Sequence, residues 1–374
     1  LLFGANREAG MHTKSSTQID FTHGSILGRT AWFALPICAG NILQQMYSTV
    51  DTLVIGNYCD AAALAAVATS SQPLEILLCV FLGIGSGISI LVSQMTGTGD
   101  RERLQSLVRT SVFFLYAAAL PLTVIGMLLG PQLLQVMNVP ADAMPYAVQY
   151  LRITTIGILG NMGYNFNACI LRGLGNSTSS LLLLGISCTT NIILDLVLVA
   201  GLNMGISGVA WATAASMFLA WGFSIPYIRH FCPDLKFPVF PHGFDPCILR
   251  RMVRIGLPLG LNTALYSVGH LFMQTILNGQ GAVFVAGCSV AGKVSGIANI
   301  AITSYSSAAT VFAGQNIGAE NYLRLRKGAW QIPLFSGVTT LVGGLIVTAC
   351  CHPLLALFTS DAAVLDHAQR YIHI

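Results

Sequence analysis

The chain has 374 residues, 54% of them hydrophobic and only 9% charged, with a mean hydropathy of +0.70. A soluble globular protein carries about 25% charged residues, so these figures exclude that class and define an integral membrane protein. The net charge of +4 signals no nucleic-acid partner, because the basic residues sit in short, separated loops.

Residues 1–24 form a polar segment, in which Met11 is the expected natural start and residues 1–10 upstream translation. Apolar runs of about 20 residues mark membrane spans. They fall near 28–56, 61–96, 106–130, 144–171, 178–201 and 206–228. After a charged linker they resume near 249–278, 281–317 and 329–350, with a tenth starting near 362. Several runs exceed the length needed to cross, so those helices tilt, kink or protrude. The first run is too long for the core of a cleavable signal peptide. Ten cysteines are scattered through apolar stretches without a CxxC pair and read as small core hydrophobes. With the N-terminus placed in the cytoplasm, 15 of the 18 basic residues fall on that side. Arg152 and Arg370 lie near the other side and Lys293 within a span. That bias sets the orientation.

The chain repeats itself. Arg29, Leu35 and Pro36 recur as Arg251, Leu257 and Pro258, a shift of 222. Gln94, Gly97 and Leu104 recur as Gln315, Gly318 and Leu325, and Leu133, Leu134 and Tyr150 as Leu354, Leu355 and Tyr371, a shift of 221. Six spans per unit, an even number, make the two copies enter the membrane in the same direction. The expected fold is therefore an all-α polytopic membrane protein of two parallel six-helix repeats. Residues 1–24 are a cytoplasmic segment, 25–230 the N-lobe with helices 1–6, 231–248 a cytoplasmic linker and 249–374 a C-lobe that stops early in its fourth helix. About nine and a half of twelve helices are then present.

Acids inside spans are costly and mark function. The candidates are Asp51, Glu75 and Asp195. Asp51 lies toward the outer end of the first span, and Asp195 late in the fifth. Thr213 lies early in the sixth, which descends from outside. At about 1.5 Å per residue these can share a depth. Asn191 and Asp195, at i and i+4, leave one helix on the same face. A cluster of Asp51, Asn191, Asp195 and Thr213 is allowed; separate polar residues that join helices remain the alternative.

The stretches ALPICAGNILQQMYSTVDTLVIGNY, LRGLGNSTSSLLLL, NIILDLVLV and GVAWATAAS resemble helix 1, the link between helices 4 and 5, and helices 5 and 6 of the multidrug and toxic compound extrusion (MATE) transporters. The similarity is closer to the DNA-damage-inducible and archaeal branch and runs from residue 25 to the end. It implies twelve helices in two lobes around a central cleft, with a cation site in the N-lobe. The helix-1 aspartate falls on Asp51, the helix-5 pair on Asn191 and Asp195, and the helix-6 threonine on Thr213. The bending proline of helix 1 falls on Pro36, and cavity residues on Gln44, Tyr47 and Asn165. The sodium-coupled branch has a helix-7 glutamate where this chain has Tyr266, and the visible C-lobe offers Lys293 but no acid.

The resemblance implies a secondary multidrug efflux transporter, an antiporter of H⁺ or Na⁺ against amphiphilic organic cations, in the cytoplasmic (inner) membrane of a prokaryote. Two carboxylates in a low-dielectric bundle repel each other, and a proton or Na⁺ relieves that repulsion. Pro36 removes an i−4 hydrogen bond, which allows helix 1 to bend or fixes a static kink. No further cofactor or metal is expected, and the protein is expected to act as a monomer in the bilayer. Two rivals are a lipid-linked oligosaccharide flippase and a membrane-embedded enzyme. The first needs a cationic cleft, for which only Lys293 is inside the membrane. The second needs a nucleophile–base pair or clustered intramembrane His. Of the eight His only His270 is clearly inside, and no HExxH or GxxxxGK[ST] motif occurs.

Overall fold

The structure is a computed structural model that describes residues 18–58, 61–136, 139, 144–233, 235–241, 243–278, 282–356 and 362–373. Among these residues the regular structure is entirely helical. The first half contains α1 (Ile26–Tyr58), α2 (Ala61–Thr98), α3 (Arg101–Val136), α4 (Met144–Ile156), α5 (Ile158–Gly173), α6 (Ser177–Asp195) and α7 (Ile206–Phe231). A π-helical turn, Leu196–Gly201, continues α6 without a break. The second half contains α8 (Pro246–Asn278), α9 (Ala282–Gly318), α10 (Tyr322–Ala349), α11 (Cys351–Ala356) and α12 (Ala362–His373). Six of the described helices are long and apolar enough to cross a membrane. α4 and α5 are parted only at Gly157, whose backbone stays right-handed helical and still bonds Ile153 and Asn161. Together they form one rod where a single span is expected.

The helix ends follow from local chemistry, and they repeat. The Asp100 side chain accepts the Arg103 N–H at 3.0 Å and so caps α3. Its equivalent 221 residues on, Asn321, accepts the Arg324 N–H at 3.3 Å and caps α10. Each is preceded by a left-handed residue, Gly99 with φ +72° and Glu320 with φ +55°. That conformation stops the preceding helix and is routine for glycine but not for glutamate. Asn176 caps α6 in the same way, through the Ser179 N–H at 3.0 Å.

The main apolar core lies in the first half, where Ile84, Ile88 and Leu91 of α2 meet Leu107 and Leu115 of α3, Met162 and Ile170 of α5 and Ala220 of α7. The halves meet along α2, which packs on both α8 and α9, while α1 packs on α9. In the α2–α8 seam glycines allow backbone contact. A Cβ on Gly83 would run into the backbone of Gly260, and one on Gly87 would stand 3.0 Å from Gly256 Cα. Gly97 of α2 touches the Gln315 backbone, and its repeat equivalent Gly318 touches that of Gln94. This reciprocal crossing of α2 and α9 relates the halves as the sequence repeat does.

Candidate functional site

Three helices bring the site together. α6 packs against both α1 and α7, and α1 also touches α7. Gly208 allows the close approach at the start of α7, since a Cβ there would stand 2.9 Å from Val199 Cγ2 in the π turn. Thr213 follows on α7, facing α1 and α6.

Asp195 and Asn191 are fully buried. One orientation of the Asn191 amide satisfies its neighbours. In it the nitrogen donates to Asp195 Oδ2 and Asp51 Oδ1, both at 3.1 Å, while the oxygen accepts from the Thr213 backbone N–H at 3.3 Å. A single amide thus bridges two carboxyl groups from different helices. Those groups also lie within hydrogen-bond reach of each other. The Tyr47 hydroxyl donates to Thr213 Oγ1 at 3.5 Å and lies within reach of Asp51. Among the described residues Asp195 Oδ1 is buried without a hydrogen-bonding partner. Leaving a buried acceptor unmatched costs about 1–3 kcal/mol, more when it is charged. The amide can offer only two donors, and both are used, so a proton or a small cation is what the set of oxygens lacks chemically.

The structure therefore brings Asp51, Asn191, Asp195, Thr213 and Tyr47 into one network. Gln44 lies on α1 at i−3 from Tyr47 and i−7 from Asp51, on the same face, and is exposed. Asn165 of α5 is tied back along its own helix, its amide donating to the Asn161 carbonyl at 2.9 Å and to Asn161 Oδ1 at 3.0 Å. Pro36 sits half-buried inside a continuous α1. The side chains of Glu75 and Lys293 lie outside the described residues.

Two features of the site are not predicted from the sequence. Tyr150 of α4 stands close enough to Asp51 and Asp195 to interact with both charges. Its only sequence signal is its repeat partner Tyr371. The second is the π turn that starts directly after Asp195, with the Leu202 N–H bonding the Val197 carbonyl five residues back. π turns inside α-helices are frequent at functional sites. The run Leu196–Gly201 has no composition that distinguishes it from α-helix.

Long apolar helices around a pair of carboxyl groups, Asp195 fully buried and Asp51 half-buried, define a polytopic membrane protein with an ionisable site inside its bundle. The MatE family model matches residues 36–197 and 258–374, well over half of the chain. The chain belongs to the MatE family, whose members are transporters and not enzymes. It is 28% identical over 354 residues to the probable multidrug resistance protein YpnP of Bacillus subtilis (strain 168), covering 94% of this chain and 79% of that protein. It is 26% identical to the probable multidrug resistance protein NorM of Thermotoga maritima, covering 91% and 74%. Among solved structures it resembles the outward-facing conformation of a multidrug resistance MATE family transporter of the MOP superfamily. The TM-score is 0.87 at 20% identity, over 96% of this chain and 80% of that one.

Proposed function

We propose that this protein is a multidrug efflux transporter in which H⁺ or Na⁺, held between Asp51 and Asp195, drives export of amphiphilic organic cations by alternating access. The observation that carries the reading is the amide of Asn191 bridging the two carboxyl groups, one of which is fully buried. With both acids ionised the cluster holds two negative charges in a low-dielectric interior. A bound cation removes that cost and draws α1 toward α6 and α7. Releasing it loosens the bundle, and the difference in ion affinity between the two arrangements is what can shift their populations. Tyr47 and Gln44 lie on the same face of α1, which places the substrate-facing surface next to the ion site. Pro36 supplies a point where α1 can bend. The relatives' names as multidrug resistance proteins support this substrate class, and the N-lobe position of the acids supports the DNA-damage-inducible and archaeal type of coupling.

The basic loops meet at one end of the molecule. Residues 19–23, Gly175, Gln315 and Arg324 are joined by direct hydrogen bonds or close contacts there, and Arg251 bonds Gln94 at the neighbouring α2–α9 crossing. Cationic residues stay on the cytoplasmic side, so that end, with the N-terminus, faces the cytoplasm of a prokaryotic inner membrane.

The test is efflux of a fluorescent organic cation from vesicles holding the protein, with pH and Na⁺ gradients imposed separately. Export driven by one of the two supports the reading and names the ion. Export that neither gradient drives refutes it.

A further inference from the structure

The segment before α1 crosses between the halves. Ile19 N–H donates to the Gly175 carbonyl at 2.9 Å, which anchors it to the first half between α5 and α6. Gly175 has φ +88°, and a Cβ there would collide with the Ile19 carbonyl, so the segment lies directly on that turn. Two residues later it is bound by the second half. Phe21 N–H donates to Gln315 Oε1 at 2.9 Å. The Phe21 carbonyl accepts from Asn316 Nδ2 at 3.2 Å and from Arg324 Nε at 2.8 Å. The His23 carbonyl accepts from the other arm of Arg324 at 2.9 Å. Arg29 holds the Asp20 carbonyl from below. The Phe21 ring is fully buried and meets Phe33 of α1 and Phe312 of α9 edge-on, at 5.3 and 6.0 Å.

The repeat shows that this placement is particular to the N-terminal copy. The motif Phe21-Thr22-His23-Gly24 recurs as Phe240-Pro241-His242-Gly243 before α8. Both glycines are left-handed, with φ +73° and +76°. Phe240, unlike Phe21, is 64% exposed and stacks on Tyr116 of α3. The arginines diverge too. Arg251 reaches across to Gln94 Oε1 at 2.9 Å, whereas Arg29 turns to Asp20 and leaves Gln315 to the Phe21 N–H. One copy of the motif is thus spent within one half, and the other bridges both.

We propose that residues 18–25 are a cytoplasmic latch, which fastens the α5–α6 turn to α9 and α10 and must release Phe21 before the cytoplasmic mouth opens. The inference rests on the two-sided opening assigned above. The physical basis is that the bridge is made by one backbone N–H, two backbone carbonyls and one aromatic ring, held by side chains at three positions of the second half. Separating the halves at this end breaks the bonds at Gln315, Asn316 and Arg324 together and exposes Phe21.

Hydrogen–deuterium exchange on the purified protein tests this without substrate or ion, so its outcome is independent of whether transport itself is demonstrated. The reporter is residues 92–98 of α2, which face α9 at the crossing but which no latch bond reaches among the described residues. F21A and R324Q are compared with the wild type, each first shown to be monodisperse. The second variant removes two bonds while leaving Phe21 in place, so it serves if the first does not fold. Exchange at 92–98 is expected to rise about threefold or more, because local opening follows the bonds that resist it. A rise confined to 18–25 and 312–324, with 92–98 at the wild-type rate, overturns the latch and leaves a local pad. No change in any segment overturns it as well.

Discussion

Asn191 shows what a single residue decides. It bonds to both carboxyl groups at 3.1 Å, and hydrogen bonds to charged groups contribute about 1.5–3 kcal/mol each. Asn191→Ala is therefore expected to lower thermal stability and to weaken efflux. Asp195→Asn separates structure from coupling. A buried carboxylate that served only as glue is costly to desolvate, and a neutral amide in its place spares that cost. The variant is expected to insert normally, with an unchanged or raised melting temperature, and to lose gradient-driven efflux by a factor of about ten or more, equal to about 1.4 kcal/mol. Asp51→Asn is expected to do the same, and the double variant to be little worse than either, because both act in one site. Full efflux from both single variants would remove the ion site from Asp51 and Asp195. At this scale the sequence was legible: acids stand out in apolar runs, and i,i+4 spacing shows which neighbour shares their face. Tyr150 was not, because a tyrosine in a span is ordinary and only its fold neighbours give it meaning. The unpartnered Asp195 Oδ1 was not either, because it depends on which way one amide turns.

At the scale of elements, apolar length and loop charge located the long helices from α1 to α10 and the start of α12, but not the short α11 at Cys351–Ala356, since a bilayer imposes length and charge on its spans alone. The π turn after Asp195 escaped, because the α and π forms of Leu196–Gly201 differ by one backbone hydrogen-bond register and not by composition. The α2–α8 seam escaped in part. Gly83 and Gly87, and Gly256 and Gly260, each have GxxxG spacing, which marks close approach but does not say which helix approaches. Their repeat equivalents on the α1–α9 side are Ser304, Ala308, Ala34 and Cys38. That side instead uses hydrogen bonds, from Asn41 to Thr303 and Ser304, both at 3.3 Å. The glycine seam lets the backbones touch over about two turns. Gly256→Ala puts a methyl group against the Ile84 backbone, and overpacking of this kind costs about 1–3 kcal/mol. Gly343→Ala on α10 meets no neighbour within 4 Å among the described residues and is expected to stabilise by about 0.5–1 kcal/mol, since alanine is the better helix former. Thermal unfolding in detergent checks the pair. Equal effects in the two variants would mean that α2 and α8 do not rely on close approach.

For the whole molecule, the repeat carried the architecture. A shift of 221 that relates Gln94 to Gln315 in sequence also relates the Asp100 and Asn321 caps and the left-handed Gly99 and Glu320 as equivalent features of the fold. How the halves face each other was not legible, because a repeat fixes the direction of each copy but not the seam between them. Orientation in the membrane is the remaining whole-molecule property, and two native cysteines report it. Cys247 is exposed beside the start of α8, at the end where Arg229, Lys236, Arg250 and Arg251 gather. Cys350 is exposed at the far end of α10, one membrane crossing away from Arg324 and Arg326. A helix of 28 residues spans about 42 Å, enough to put its ends on opposite sides of a bilayer core about 30 Å thick. If the basic end is cytoplasmic, an impermeant maleimide added to intact cells labels Cys350 and spares Cys247, and permeabilised cells label both. Cysteines introduced at Glu102 and Leu202 extend the test to the first half, with Leu202→Cys labelled from outside and Glu102→Cys protected. Labelling of Cys247 and Glu102→Cys in intact cells, with Cys350 and Leu202→Cys spared, reverses the orientation. The acids of α1 and α6 would then lie toward the cytoplasmic surface, and the ion would have to enter from the side on which the latch of residues 18–25 sits.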